Sequence, residues 1–93
     1  LPLMNSNKNW ELHIDEKVFK GLRKIPKAEV KKITDAIRVL PDNPYAGDIQ
    51  KVQGEEATWR RRIGEYRIFY EVYQRESRID IRWVERKGSK TYS

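Results

Sequence analysis

Arginines dominate the chemistry that this sequence could perform, and three of them flank one predicted turn. Residues 59–70 form two alternating segments separated by Gly64 and Glu65, and glycine supplies the positive φ that a tight hairpin loop requires. Pairing outward from that loop sets Arg62 opposite Arg67, and alternation puts Arg60 on the same face. Like charges that face each other repel, so a fold tolerates this arrangement most readily when an anion binds there.

The opposite face of this hairpin is apolar and is predicted to contact the core. It carries Trp59, Ile63, Tyr66, Ile68 and Tyr70. Arg61 breaks the pattern, because alternation points it at the same apolar face, and we expect its long side chain to reach for the sheet edge. A solvated basic face without a ligand is the alternative for the three arginines, since arginine is common on exposed strands.

Composition limits the class of protein. Ninety-three residues make one small core, and the absence of cysteine excludes a disulfide framework and favours a reducing cytoplasm. No apolar run approaches the roughly 18 to 20 residues of a membrane span, and neither a glycine-rich phosphate loop nor a metal-ligand cluster occurs. The net charge of +6 lies mostly in residues 59–93 and suggests RNA, DNA or an acidic protein as partner.

Apolar periodicity predicts the helices that must support the hairpin. Residues 1–9 are polar and are expected to be disordered or a remnant of cloning, and residues 10–14 alternate as a first strand, with His13 exposed. Asp15 is suited to cap a helix, and Pro26 suits the first turn of a second helix. The two apolar stripes comprise Val18, Phe19, Leu22 and Ile25 in the first helix and Val30, Ile33, Ile37 and Leu40 in the second.

The second half of the chain predicts the sheet. A short extended piece lies at residues 49–52, and the second hairpin strand continues to Tyr73. The last strand, residues 78–83, alternates strictly, which puts Ile79, Ile81 and Trp83 on the core face. The predicted fold is α+β, in the order β-α-α-β-β-β, with a helical hairpin packed on an antiparallel sheet.

This pattern resembles the RelE/ParE superfamily of type II toxins. The resemblance rests on Lys51-Val52-Gln53-Gly54, the arginine hairpin, Trp83-Val84-x-Arg86-Lys87 and Tyr92, and it covers roughly residues 10–92. It implies a single toxin domain over residues 10–93, a cognate antitoxin protein as partner, and no cofactor or metal. RelE-like members cleave messenger RNA in the ribosomal A site, whereas ParE-like members keep the fold and poison DNA gyrase.

The resemblance also implies roles for individual residues. Arg60, Arg62 and Arg67 correspond to basic positions that would hold the scissile phosphate and stabilise the phosphorane. The arginine after the last strand corresponds to Arg86 or Lys87, with Arg86 preferred, and it would stabilise or protonate the leaving group. The terminal tyrosine corresponds to Tyr92, which would stack on a base or assist proton transfer, and further RNA contacts are assigned to Arg61, Lys87 and Lys90.

The general base is left open by these assignments. RelE-like enzymes often carry lysine at the two positions that Arg60 and Arg62 occupy, and an arginine does not give up its proton in a protein. The resemblance to RelE-like members implies a cytoplasmic, ribosome-dependent endoribonuclease that acts on messenger RNA without a metal. A ParE-like gyrase inhibitor that cleaves nothing is the alternative, and a nucleic-acid-binding module without activity is the third possibility.

Overall fold

The computed structural model describes residues 10–87, in which two helices pack on one side of a five-stranded sheet. In chain order the elements are β1 (Glu11–Ile14), α1 (Glu16–Leu22), α2 (Lys27–Val39), β2 (Ile49–Lys51), β3 (Thr58–Ile63), β4 (Tyr66–Tyr73) and β5 (Arg78–Arg86). Neither helix in this part of the chain is long and apolar enough to cross a lipid bilayer. The α+β architecture with a helical hairpin on the sheet is confirmed.

The strand order is β1-β5-β4-β3-β2, so the first and last strands in sequence are neighbours. All other pairs are antiparallel, but β1 runs parallel to β5. The expectation of a wholly antiparallel sheet was therefore wrong, because no local pattern in β1 reveals the direction of a partner that lies far along the chain. We call the side covered by the helices the helix face and the opposite side the outer face.

The helices bury one stripe each against the sheet. The Asp15 carboxylate accepts a hydrogen bond from the Lys17 backbone N–H at 3.0 Å and caps α1 as predicted. Val18 is buried, but Phe19 was wrongly assigned to the same stripe and is 49% exposed. Phe19 lies about 100° around the helix axis from Val18, and in this seven-residue helix that rotation leaves its ring largely exposed.

The core lies between α2 and the helix face. The predicted α2 stripe is largely confirmed, since Ile33, Ile37 and Leu40 are all buried. They meet side chains of the two central strands that are completely buried: Ile68, Tyr70, Ile79 and Ile81. Because the core comes from alternate residues of β4 and β5, the residues between them are held rigidly on the outer face.

The β3–β4 hairpin has the predicted register. Arg62 pairs with Arg67 and Arg60 with Phe69, which confirms the pairing outward from the turn. Gly64 has a φ of 58°, while Glu65 keeps a negative φ. Glycine at the first central position is the pattern of a type II′ turn, whose twist matches that of the flanking strands.

A β-bulge in β5 changes which residues reach each face. Tyr70 pairs with Ile81 while Phe69 pairs with Trp83, so Arg82 is an extra residue without an opposite partner. Beyond Arg82 the alternation is inverted. The prediction that Trp83 faces the core was therefore wrong: Trp83 lies on the outer face, where its ring stacks on that of Phe69 at 4.6 Å between centroids.

Candidate functional site

Three arginines share the end of the outer face nearest the β3–β4 turn, and we call them the arginine cluster: Arg60, Arg62 and Arg67. Arg62 and Arg67 are directly opposed across the two strands, and the Cβ atoms of such pairs are about 5 Å apart. Arg60 and Arg67 are partly buried, whereas Arg62 is exposed. The co-facial arrangement predicted from alternation is thus present, and it concentrates positive charge on a rigid part of the sheet.

The cluster is only weakly neutralised by its neighbours. Arg62 Nε lies 3.5 Å from Asp48 Oδ2, with the two side chains 55% and 70% exposed. An exposed pair of this kind contributes at most about 1 kcal/mol and is screened by salt. Arg60 Nη2 donates to the neutral side-chain amide oxygen of Gln50. Within residues 10–87, neither Arg60 nor Arg67 forms an ion pair.

The far end of the outer face is different, because each arginine there lies near a carboxylate. Arg78 Nε donates to Asp80 Oδ1 at 2.9 Å, and this hydrogen bond raises the pKa of the Arg78 guanidinium above its ordinary value. Arg82 lies 3.9 Å from a carboxylate oxygen of Glu71. The outer face therefore has a charge-balanced end and a basic end, and an anion would bind at the basic end.

Glu85 joins the arginine cluster, although sequence reasoning missed it. It pairs with Arg67 across β4 and β5, and its Oε1 accepts a hydrogen bond from the Trp83 indole N–H at 3.3 Å. The predicted last strand ended at residue 83, and strict alternation continued to Glu85 would place it on the opposite face, so both the longer strand and the bulge at Arg82 would have to be known first. The basic end of the face thus includes a carboxylate that can accept a proton.

Arg86 is not brought together with the arginine cluster. It pairs with Tyr66, whose side chain is buried on the helix face, and it lines a groove with Lys24, Pro26 and Glu29 near the α1–α2 junction. The bulge is again the reason, since the inverted alternation turns Arg86 to the opposite side from Arg67. The structure therefore brings together three of the four predicted arginines, and it places Arg86 apart from them.

Arg61 also lies apart from the cluster, on the helix face opposite Ile68. Its guanidinium contacts Gly47, where a Cβ would come within 2.8 Å of Arg61 Cζ, and where φ is 90°. Its Nε and Nη1 are buried without a hydrogen-bond partner among the described residues. The side chain points at the core face as expected, and this position separates it from any ligand held by the three outer-face arginines.

The remaining residues considered in the sequence are Lys87, Lys90 and Tyr92 near the end of the chain and His13 in the first strand. Lys87 is exposed, and its backbone N–H donates to the Glu65 carbonyl at 2.6 Å, which fixes it beside the β3–β4 turn. Lys90 and Tyr92 lie outside the described residues. His13 is exposed as expected and contacts Glu11. Among residues 10–87 no group of acidic, histidine or cysteine side chains could hold a metal ion.

The basic end of the outer face is suited to bind and polarise a phosphate. Guanidinium groups can donate paired hydrogen bonds to two oxygens of one phosphate group. The strands that carry these groups are part of the packed sheet, so little reorganisation is needed when charge develops on the ligand. Such a site can stabilise a negatively charged transition state at phosphorus.

Comparisons with known proteins show the family of this chain. A family model described as ParE toxin of type II toxin-antitoxin system, parDE, matches residues 12–87. A protein of Methanocaldococcus jannaschii named "Putative toxin RelE1" is 33% identical over 82 residues, which cover 85% of this chain and 89% of that protein.

Solved structures of related complexes have the same fold. A chain of the archaeal RelE–RelB complex from Pyrococcus horikoshii aligns with a TM-score of 0.75 at 26% identity, covering 86% of this chain and 97% of its own. A chain of the RelB–RelE antitoxin–toxin complex from Methanococcus jannaschii aligns with a TM-score of 0.72 at 25% identity, covering 86% and 95%.

Proposed function

Because the chain belongs to the RelE/ParE superfamily of type II toxins, we propose that it is a ribosome-dependent endoribonuclease that cleaves messenger RNA in the A site. One observation carries the proposal: within residues 10–87, Arg60 and Arg67 are partly buried beside Arg62 and form no ion pair. Placing partly desolvated like charges together costs stability, and an RNA phosphate at this position would offset that cost.

In the proposed reaction the RNA 2′-hydroxyl attacks the adjacent phosphorus and the 5′-oxygen departs. The arginine cluster binds the non-bridging oxygens and stabilises the extra charge of the phosphorane. Arg62 exchanges its exposed contact with Asp48 for the phosphate, which costs little because that pair is weak. The arginines remain protonated throughout, so they stabilise charge and transfer no proton.

The proton of the 2′-hydroxyl needs an acceptor, and we assign that role to Glu85. Asp48 and Glu85 are the two carboxylates beside the arginine cluster, and Asp48 already contacts Arg62. Glu85 forms no ion pair among the described residues and is oriented by the Trp83 indole N–H. A carboxylate positioned beside a guanidinium can take the proton as it is released and pass it to solvent, and a solvent water supplies the proton that the departing 5′-oxygen needs.

The partners proposed for this site follow from the same chemistry. They are the ribosome with its bound messenger RNA in the cytoplasm, and a cognate antitoxin that covers the protein. Tyr92 keeps its proposed role of stacking on a base, and Lys87 and Lys90 their proposed contacts with the RNA backbone. Arg61 and Arg86 are omitted because they lie on the helix face, away from the three outer-face arginines.

The proposal is tested in a cell-free translation extract with mapping of RNA 5′ ends. We expect the protein to cut messages within codons on translating ribosomes and to leave naked RNA nearly intact. The matched control is Arg75→Ala, which removes an exposed arginine from the β4–β5 turn and should cut like the unaltered protein. Intact messages on translating ribosomes would disprove the proposed activity.

A second candidate function is supported by the ParE description of the matching family model. A ParE-like toxin would act on DNA gyrase and cleave no RNA. The same protein is therefore added to a gyrase supercoiling reaction. Accumulation of gyrase–DNA cleavage complexes beside intact messages would establish the ParE-like function in place of the ribonuclease.

A further inference from the structure

The proposed reaction uses only the Trp83 indole N–H of the Phe69–Trp83 pair, and it leaves the stacked rings without a role. The two rings are 4.6 Å apart between centroids and only 13° from parallel. Phe69 is 8% exposed and forms a buried floor, whereas Trp83 is 37% exposed. A large aromatic ring thus lies at the surface, stacked on a second ring that is more deeply buried.

The bulge at Arg82 is what exposes this tryptophan. Without the extra residue, Trp83 would follow Ile79 and Ile81 onto the helix face, where burying its ring would contribute to stability. Bulges commonly redirect a side chain next to a functional site. The fold therefore gives up apolar burial at this position and gains an exposed aromatic side chain.

Three cationic side chains lie near the pair, together with Glu85, which accepts the hydrogen bond of the Trp83 indole N–H. Arg60 of β3 is directly opposite Phe69 of β4, and Arg67 pairs with Glu85, two residues beyond Trp83. From the other edge, Lys17 of α1 extends its ammonium group to 6.0 Å from the Trp83 ring centroid. That distance is at the outer limit of a cation–π contact, so the lysine can move to a phosphate at little cost.

We propose that Trp83, supported by Phe69, is a stacking platform for one unpaired base of a single-stranded RNA whose adjacent phosphate binds the arginine cluster. Stacking platforms interleaved with cations are the general means of binding single-stranded nucleic acid, since every base has a flat face and every nucleotide a phosphate. The inference rests on the proposed function for its ligand class and adds a second base-stacking contact to the one proposed for Tyr92.

The platform is tested by direct binding of a single-stranded oligoribonucleotide with 2′-O-methyl groups, which block cleavage, at low salt by fluorescence anisotropy. The informative pair is Trp83→Phe and Trp83→Leu, because neither variant donates to Glu85 and only the former keeps a flat ring. We expect Trp83→Leu to bind at least about tenfold more weakly, and Trp83→Phe to stay within a few-fold of the unaltered protein. Phe19→Ala, which removes an exposed aromatic from α1, should bind normally.

Oligonucleotides with one abasic nucleotide at successive positions locate the stacked base. At one position the missing base should weaken binding to the unaltered protein about tenfold, and should have little further effect on Trp83→Leu. Thermal melting of each variant confirms that folded proteins are compared. Equal binding by the Phe and Leu variants, or the absence of saturable binding to the unaltered protein, would overturn the platform.

The outcome is separable from that of the ribonuclease proposal. Trp83-dependent binding by a protein that cuts no message on ribosomes would retain the platform and remove the proposed activity. Normal cutting by the unaltered protein on ribosomes, together with normal oligonucleotide binding by Trp83→Leu, would retain the proposed activity and remove the platform. If Trp83→Leu binds RNA normally but loses affinity for its antitoxin, the exposed ring is a protein contact and the platform is disproved.

Discussion

The two faces of strand β4 differ in what their residues contribute, although they alternate along one chain segment. On the helix face, Ile68 and Tyr70 are completely buried against the core. On the outer face, Arg67 is partly buried, with Arg62 opposite it and no ion pair among the described residues. Neighbours 3.8 Å apart along the backbone thus belong to an apolar core and to a basic surface.

The comparison indicates that stability and anion binding are carried by separate residues. Core residues lower the free energy of the fold through apolar burial, whereas the arginine cluster raises it slightly through repulsion. A rigid core holds these like charges together, whereas a flexible loop would relieve their repulsion by moving them apart. Substitutions on the two faces should therefore have opposite effects on unfolding and on cleavage.

The largest effect is expected for Ile68→Ala on the helix face. This change opens a cavity in a fully buried part of the core and should lower the free energy of unfolding by about 2 to 5 kcal/mol. The fraction that remains folded should cleave normally per molecule, because the outer face is unaltered. Urea unfolding measures the stability, and cleavage on programmed ribosomes, normalised to folded protein, measures the activity.

Arg67→Ala should show the reverse. Removing a guanidinium from the phosphorane should cost roughly 3 kcal/mol of transition-state stabilisation, a loss of about two orders of magnitude in rate. The free energy of unfolding should change by no more than about 1 kcal/mol, and relief of repulsion with Arg62 could raise the melting temperature. Single-turnover cleavage on programmed ribosomes gives the rate, and thermal melting gives the stability.

Arg67→Lys provides the matched control for charge. It should restore only part of the rate, because one ammonium group cannot make the paired contacts of a planar guanidinium. Full activity of Arg67→Ala in a folded protein would contradict the assignment of the outer face as the reactive one. Unfolding of Arg67→Ala would contradict the separation of the two faces.

Features determined by short-range sequence were predictable. The hairpin register follows from Gly64 and from the period of two around it, and both are local. The Asp15 cap is equally local, because it depends on one side chain and the next helical turn. Local signals are therefore sufficient to place Arg60 and Arg67 on one face of the hairpin.

Features determined by partner strands were not predictable. Residues 78–83 alternate without interruption, and the bulge at Arg82 appears only in their pairing with β4. One unseen extra residue moved Trp83 from the predicted core face to the outer face, turned Arg86 toward the helix face and brought Glu85 beside the cluster. The parallel pairing of β1 with β5 was missed for the same reason, since the two strands are separated by most of the chain.

The smallest expected effect comes from removing a tyrosine hydroxyl, and each face of β4 offers one. On the helix face, the Tyr70 hydroxyl donates to the Pro44 carbonyl at 2.7 Å, and burial raises the pKa of Tyr70 to about 12. On the outer face, the Tyr73 hydroxyl donates to the partly exposed Glu71 carboxylate at 2.8 Å, and this hydrogen bond raises the pKa of Tyr73. One hydroxyl thus supports the core and the other a surface pair.

Tyr70→Phe should lower the free energy of unfolding by about 1 kcal/mol at neutral pH, because a buried carbonyl loses its donor. The folded pKa of Tyr70 lies above the unfolded value of about 10, so its contribution is complete below about pH 10 and is lost as the pH rises through 12. Urea unfolding at neutral pH and at about pH 11 should therefore show the stability of the unaltered protein approaching that of the variant at the higher pH.

Tyr73→Phe is the control and should change stability by less at neutral pH, since water can replace a partly exposed partner. An equal decrease in the free energy of unfolding for the two variants would contradict the greater burial assigned to the helix face.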